Sequence, residues 1–214
     1  MPSTTTTISA TSTTSATTTV STATVAGSTM AGSVRLLLDE ISRSAATVLE
    51  TGTSSLDRLV EAVEDADRVF LLGAGRSGLA LRGTAMRLMH LGLTAHVVGD
   101  VTAPAIRGGD LLLVASGSGT TPGIVRAVHA AQEAGAQVAA LTAAPRSAVA
   151  DAADLVVLVQ APGKEDHSGA ASAQFSGSLF EQTVSLLGDA VTHTLWQRSG
   201  RTADDLYSRH ANLE

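Results

Sequence analysis

The chain has 214 residues, of which 44% are apolar and only 2% aromatic, and this length allows one domain with appendages. Its formal net charge of −6 argues against a broad nucleic-acid surface, and no apolar run approaches the roughly 18 residues of a membrane span. The absence of cysteine excludes disulfides, thiolate catalysis and Cys-based zinc sites, and it fits a reducing compartment such as the cytoplasm.

The N-terminal segment, residues 1–31, consists almost entirely of Ser, Thr, Ala and Val and contains no charged side chain. It lacks the basic start and the apolar core of a secretory signal, and it lacks the arginines of a transit peptide. We predict a disordered tail, because such a composition cannot bury enough apolar surface to become ordered. The folded domain is expected to span residues 34–214.

The rest of the chain reads as helices alternating with short apolar runs. Apolar residues recur at helical spacing from Val34 to Leu49, and a second helix begins near Ser54 or Ser55. Short apolar runs between helices are typical of buried parallel strands. We predict an α/β fold, a doubly wound, Rossmann-like or flavodoxin-like five-stranded parallel sheet with flanking helices. The predicted strands are Val69–Leu72, Ala95–Val98, Leu111–Ala115, Val138–Leu141 and Leu155–Val159.

A glycine-rich loop, GAGRSG at Gly73–Gly78, follows the first predicted strand and precedes a helix expected from about Leu79. It matches the dinucleotide pattern G-x-G-x-x-G, so an NAD-binding domain with Asp100 as the ribose ligand is one interpretation, and a plain tight turn is another. A guanidinium and a hydroxyl in such a loop suit a compact phosphorylated ligand better than a pyrophosphate on bare backbone. The candidate binding residues of this loop are Gly75, Arg76 and Ser77.

A second loop, SGSGTT at Ser116–Thr121, follows the third predicted strand and precedes Pro122 at the start of a helix. Its small hydroxyl side chains and exposed N–H groups are predicted to enclose a phosphate monoester. Thr121 also suits the ordinary role of an N-cap with Pro122 as the first helical residue. A dinucleotide domain needs no second loop of this kind. The candidate phosphate-binding residues are Ser116, Gly117, Ser118, Gly119 and Thr121.

These two loops in this order resemble the sugar isomerase (SIS) domain family. The segments GSLFEQ at 177–182 and HANLE at 210–214 are similar to the 6-phospho-3-hexuloisomerase branch of that family, and the likeness spans roughly Val34 to Glu214. One departure is Thr120, where Glu is common in SIS loops. The resemblance implies interconversion of D-arabino-hex-3-ulose 6-phosphate and D-fructose 6-phosphate through an enediol(ate), as in the ribulose monophosphate pathway, without a cofactor.

The same resemblance implies two catalytic residues, Glu181 and His210. Glu181 would be the base at the substrate, although the spacing Ser178-x-x-Glu181 alone fits a capping box at the start of a helix over 178–197. His210 would be an acid or ring-handling partner, in its own subunit or in a neighbouring one, although a lone His near a C-terminus is more often solvated.

Expectations about partners complete the prediction. The resemblance implies a small phosphosugar substrate and a homo-oligomer, commonly a tetramer; no nucleic-acid, membrane or metal partner is expected. Asp189 and His193 have i, i+4 spacing, but one pair does not make a metal site. Two other classes stay open: a SIS module that binds a phosphosugar without catalysis, and a nicotinamide-dependent enzyme built on Gly73–Gly78.

Overall fold

The computed structural model of the chain describes residues 29–166 and 168–213. The predicted disordered tail therefore lies outside the described residues, except for its last three positions. The chain divides after Leu36 into two units. Of the first unit, residues 29–36 are described and form the start of a helix, and the second unit contains the α/β domain. None of the described helices has the length and apolar content of a membrane span.

Five strands and six helices make up the described part of the chain. The strands are β1 Val69–Gly73, β2 Ala95–Val97, β3 Leu111–Ala115, β4 Gln137–Thr142 and β5 Leu155–Leu158. The helices are α1 Met30–Asp65, α2 Gly75–His90, α3 Pro122–Glu133, α4 Ala148–Ala152, α5 Ser178–Ser199 and α6 Ala203–Tyr207.

Two helix starts differ from those that the sequence predicts. Helix α1 begins at Met30 rather than Val34, and it joins the two predicted helices across a non-helical Gly52 (φ −132°, ψ 16°). Helix α2 begins at Gly75 rather than near Leu79, so most of the first glycine-rich loop is the first turn of the helix. Glycine has a low helix propensity, so the sequence predicts a loop at Gly73–Gly78. In the structure the helix begins early because Gly78 packs against Gly73 at the end of β1.

All five strands are parallel, in the order β2-β1-β3-β4-β5. This flavodoxin-like order confirms the predicted fold class, and its topological switch point lies between β1 and β3. These two strands pair in register from Val69 with Leu111 to Gly73 with Ala115. The two glycine-rich loops therefore leave neighbouring strands at the same edge of the sheet, which is where ligands bind in such folds.

The core is built from Ala, Val and Leu on both faces of this sheet. Successive residues of β3 point to opposite faces: Leu111 and Leu113 belong to the cluster formed with α1, α2 and α5, whereas Leu112 and Val114 belong to the cluster formed with α3. Because both faces are covered, every residue of β3 is buried. The sheet is thus a rigid support for the loops at its carboxyl edge.

The strand β1 and the first turn of α2 pack in direct backbone contact through two glycines. A Cβ added to Gly78 would lie 2.5 Å from the carbonyl oxygen of Gly73, and one added to Gly73 would lie 2.7 Å from the amide nitrogen of Gly78. These separations are below any real Cβ contact, so both positions require glycine. The resulting turn places the backbone of Ser77 and Gly78 against the end of β1.

We expect Gly78→Ala to destabilise the protein by at least about 1–3 kcal/mol, because overpacking here moves backbone rather than a flexible side chain. Gly83→Ala on the same helix is the matched control, since an added Cβ there has none of the described heavy atoms within 4 Å. That control should stabilise the protein by about 0.5–1 kcal/mol. Urea unfolding followed by circular dichroism measures both variants, and equal unfolding midpoints would contradict the close approach.

Candidate functional site

The first loop presents a helix start to the carboxyl edge of the sheet. Ala74 is the N-cap of α2 in extended conformation, and within the described residues its side chain makes no capping hydrogen bond. Gly75 has a positive φ of 57°, which glycine adopts without strain. Ser77 is buried and Arg76 is exposed. The first-turn N–H groups of a helix bind anions well, because they lack intrahelical partners and lie at the positive end of the helix dipole.

The second loop begins and ends on two hydroxyls that contact each other. Ser116 Oγ and Thr121 Oγ1 lie 3.1 Å apart, and Ser116 is buried. Thr121 does occupy the N-cap position of α3, with Pro122 next, but among the described residues its side chain makes no capping bond. The ordinary capping role therefore does not account for the Thr121 hydroxyl, which is directed to Ser116 instead.

The middle of the second loop is shaped by glycines and by an exposed hydroxyl pair. Gly119 has a positive φ of 62°, and its amide donates to the carbonyl oxygen of Ser116 at 3.1 Å. A Cβ on Gly119 would overlap the side chain of Ser147. The Ser118 hydroxyl accepts hydrogen bonds from the Thr120 amide at 3.3 Å and the Thr120 hydroxyl at 3.2 Å. The loop thus presents one buried hydroxyl pair and one exposed pair.

Helix α5 brings a carboxylate to these loops. Glu181, in its first turn, is only 8% exposed, and its Oε2 lies 3.1 Å from Arg76 Nη1 of the first loop. The neighbouring Phe180 ring packs against the second loop, where a Cβ on Gly117 would lie 3.4 Å from Phe180 Cδ1. One helix start therefore contacts both loops. Glu181 also lines a small cavity of about 290 Å³ together with residues of α2.

The capping-box interpretation of Ser178-x-x-Glu181 is wrong. The N-cap of α5 is Gly177, in left-handed conformation with φ 80° and ψ −13°, so Ser178 is already the first helical residue. The Ser178 hydroxyl accepts a hydrogen bond from Arg76 Nη1 at 3.1 Å. Arg76 therefore contacts both Ser178 and Glu181, and the Glu181 side chain is left for a role other than capping.

His210 lies elsewhere in the chain's own fold. Its ring stacks on His90, with centroids 4.1 Å apart at 28°, and His90 is the last residue of α2. At 1.5 Å per residue, His90 lies about 20 Å along α2 from Gly75. Glu181 pairs with Arg76 at the other end of α2. The structure therefore does not bring His210 to Glu181 within one chain. Burial, and then the neighbouring His210 and Arg87, hold the pKa of His90 below its ordinary value.

The surroundings of His210 form a cavity of about 360 Å³ lined by residues of α2, α5 and the C-terminal segment. Trp196 lies in its wall, donates from Nε1 to the carbonyl oxygen of Arg201 at 2.8 Å, and contacts His193 edge-on. The Nδ1 of His90 has no hydrogen-bond partner among the described residues. Asp189 and His193 line the same cavity, but the described residues contain no cluster of three or more metal-ligating side chains.

Two further residues, Asp100 and Lys164, bear on the predictions. Asp100, the candidate ribose ligand of the NAD interpretation, pairs with Arg82 Nη2 at 2.9 Å. The sequence did not single out Lys164, although its side chain lies beside Gly177 and Glu181. The available signal was that Lys164 is the chain's single lysine, although it lies 13 residues before GSLFEQ.

The chain is similar in sequence to proteins of one known family. The SIS domain family model matches residues 62–185. The chain is 50% identical over 182 residues to the 3-hexulose-6-phosphate isomerase of Mycobacterium gastri, covering 85% of this chain and 90% of that protein. It is 37% identical over 179 residues to the protein of the same name in Bacillus subtilis strain 168, covering 83% of this chain and 95% of that one.

A solved structure is similar over the same region. A hypothetical protein of Methanococcus jannaschii, whose structure infers a molecular function of 3-hexulose-6-phosphate isomerase, superposes with a TM-score of 0.74 at 27% identity and covers 85% of this chain and 99% of that one. The residues that the family model matches include both glycine-rich loops and the first turn of α5. The chain belongs to the SIS domain family and, within it, groups with the proteins named 3-hexulose-6-phosphate isomerase.

Proposed function

We propose that this protein is an isomerase that interconverts D-arabino-hex-3-ulose 6-phosphate and D-fructose 6-phosphate. The observation that carries this proposal is the 50% identity, across 85% of the chain, to a relative named 3-hexulose-6-phosphate isomerase. The geometry of the loops and of Glu181 also supports it, because a buried carboxylate lies beside the two glycine-rich loops that we propose as the phosphate anchor. A module that only bound a phosphosugar would need the anchor but not the carboxylate.

The reaction moves a carbonyl group between C3 and C2 of the sugar. Starting from the 3-ketose, a base removes the proton on C2, the electron pair forms the 2,3-enediolate, and a proton returns to C3. The hydroxyl proton of O2 is lost and O3 gains one, so the carbonyl is then at C2. A positioned base typically increases the rate of such a proton transfer by roughly 10²–10⁴-fold. Binding of the phosphate group holds the sugar in a fixed position relative to that base.

The two loops are the proposed phosphate site. The Ser116–Thr121 hydroxyl pair at 3.1 Å and the starts of α2 and α3 offer neutral donors at the edge where β1 and β3 end. Such donors, together with the Arg76 cation, can bind a dianion without a cluster of cations, which fits a chain whose net charge is −6. The loop residues that we assign to this role are Gly75, Arg76, Ser77, Ser116, Gly117, Ser118, Gly119 and Thr121.

Glu181 is the proposed base. Its burial and its place in the wall of the cavity of about 290 Å³ beside the first loop support this role, since a general base must be held within reach of the substrate. Arg76 also contacts Ser178, so it fixes the carboxylate relative to the first loop. The proton would therefore be removed close to the phosphate anchor.

His210 is proposed as the acid or ring-handling partner supplied by a neighbouring subunit. The support is geometric: in its own chain it stacks on His90, at the far end of α2 from the loops. This role would require an oligomer, and we propose the homotetramer that the resemblance implies. A cytoplasmic location and a role in the ribulose monophosphate pathway, in formaldehyde assimilation, belong to the same proposal and are supported by the names of the relatives and by the absence of cysteine.

The test is turnover of fructose 6-phosphate by the purified, dialysed protein without nicotinamide. In D₂O we expect deuterium to enter C3 of fructose 6-phosphate, observed by NMR, together with a new 3-ketohexose phosphate signal. The exchange reports proton removal even if the equilibrium favours one sugar. A protein that needs NAD, or that binds the sugar without exchange, would refute the proposed isomerase and would favour the nicotinamide-dependent class or the binding module, respectively.

A further inference from the structure

The segment between β5 and α5 carries Lys164, the single lysine of the chain. Its Cγ and Cε lie 3.5 Å and 3.4 Å from the point where a Cβ on Gly177 would be, and Glu181 Oε1 lies 3.5 Å from the same point. The Lys164 Cε and Glu181 Oε1 are therefore no more than about 7 Å apart. The ammonium is one further bond of about 1.5 Å away from Cε, so it lies in the neighbourhood of the carboxylate.

This position follows from how the segment is held. The Ser176 hydroxyl donates to the carbonyl oxygen of Lys164 at 2.6 Å, which ties the lysine to the residues just before α5. The Ser178 amide donates to the carbonyl oxygen of Phe175 at 3.1 Å, which continues the connection into the helix. The backbone of Lys164 is thus fixed relative to Glu181 although its side chain is exposed.

A buried carboxylate on α1 anchors the same segment. Glu40 is 5% exposed. Burial alone would raise the pKa of Glu40, but hydrogen bonds from the segment outweigh it and hold the pKa below its ordinary value. The charged form is therefore the one that the segment binds. The donors to Glu40 are the Ser172 hydroxyl at 2.6 Å, the Ala173 amide at 2.8 Å and the Gln174 side-chain amide at 3.0 Å.

The two oxygens of the Glu181 carboxylate have different surroundings. Oε2 contacts the Arg76 guanidinium at 3.1 Å, whereas Oε1 faces the space over Gly177 along which the Lys164 side chain runs. Gly177 has no side chain to fill that space, and its φ of 80° disfavours any replacement. The carboxylate thus has one cation 3.1 Å from Oε2, and the side chain of a second, Lys164, runs past Gly177 on the side of Oε1.

We propose that Lys164 is a catalytic residue whose ammonium contacts the oxygen on which negative charge develops in the enediolate. This inference rests on the proposed isomerase function. When Glu181 takes the proton from C3 of fructose 6-phosphate, the electron pair moves onto O2, and a donor already in place there stabilises the charge. The ammonium keeps its protons and only hydrogen-bonds to O2, so the proton balance between Glu181 and the sugar is unchanged.

Lys164→Met and Lys164→Arg test this role by steady-state kinetics with fructose 6-phosphate. Removing one such donor typically costs about 10²–10³-fold in turnover, so we expect that loss in kcat for the methionine variant with KM within about threefold. The arginine variant should recover part of the loss, because it restores a cationic donor. A role in structure alone would change the unfolding midpoint rather than kcat, and a methionine variant with normal kcat refutes the proposal.

Because Lys164 is the single lysine, acetylation of the wild-type protein tests the same point without a mutation. The two amines that acetic anhydride can acylate are this side chain and the α-amino group, which peptide mass mapping separates, and hydroxylamine then removes acetyl groups from hydroxyl side chains such as that of Tyr207. We expect acetylation of Lys164 to lower turnover by about 10²–10³-fold. Fructose 6-phosphate should slow the acetylation of Lys164. Acetylated protein with full activity refutes the role of Lys164. Failure of the untreated protein to exchange deuterium instead refutes the proposed function, so the two failures are distinguishable.

Discussion

Replacing Glu181 with glutamine is expected to lower kcat by about 10²–10⁴-fold while substrate affinity stays within a few-fold of normal. Glutamine has the same shape and can still accept a hydrogen bond from Arg76, which lies 3.1 Å from Oε2, but it cannot take a proton from carbon. Because only the transition state requires the base, the loss should appear in kcat rather than in binding. Deuterium exchange at C3 of fructose 6-phosphate measures the chemical step, and calorimetry measures binding.

The matched control is Glu133→Gln, at the exposed last residue of α3. It removes the same charge at a position outside the proposed site and should leave kcat unchanged. Circular dichroism and the unfolding midpoint establish that both variants are folded. If Glu181→Gln turned over at a rate within about threefold of the parent, another group would have to be the base.

Thr121→Val is expected to raise KM by about 10- to 100-fold with a much smaller effect on kcat. Valine keeps the shape of threonine but removes the hydroxyl that lies 3.1 Å from Ser116 Oγ. A hydrogen bond to a charged group contributes about 1.5–3 kcal/mol, and each 1.4 kcal/mol is about tenfold in affinity. The phosphate does not react, so its anchor acts on binding. Inhibition by inorganic phosphate should weaken in parallel, which separates the anchor from contacts to the sugar.

Thr120→Val provides the control from the same loop. The Thr120 hydroxyl is exposed and donates to Ser118 Oγ rather than to the buried pair. We expect a KM within about threefold of the parent. Equal KM values for the two valine variants would mean that the Ser116–Thr121 pair does not define the anchor, and that the neighbouring threonine is equivalent to it.

The sequence predicted the fold class because its signals are local and repeated. Each strand is an apolar run bounded by polar or glycine residues, and β1 and β3 begin at the predicted residues, Val69 and Leu111. The start of α2 was predicted too late because the early start depends on a contact between the strand end and the helix. The low helix propensity of glycine predicts that Gly73 and Gly78 lie in a loop, whereas in the fold their backbones pack together.

The candidate site was predictable in its parts but not in its arrangement. The pattern Ser178-x-x-Glu181 alone fits a capping box, and the left-handed Gly177 moves the cap by one residue. The contact that replaces it joins Arg76 to Ser178 across 102 positions, beyond any local pattern. The sequence did not predict Lys164 for the same reason, since its proximity to Glu181 depends on how the segment before α5 folds back.

The position of Trp196 determines what can be seen by optical spectroscopy. It is the single tryptophan of the chain, and it contacts Arg201 and His193 at the C-terminal segment rather than the glycine-rich loops. Its intrinsic fluorescence is therefore a built-in probe of whether residues 200–213 are docked on α5. An emission change on adding substrate would report movement of that segment, whereas sugar binding at the glycine-rich loops without such movement would leave the emission unchanged.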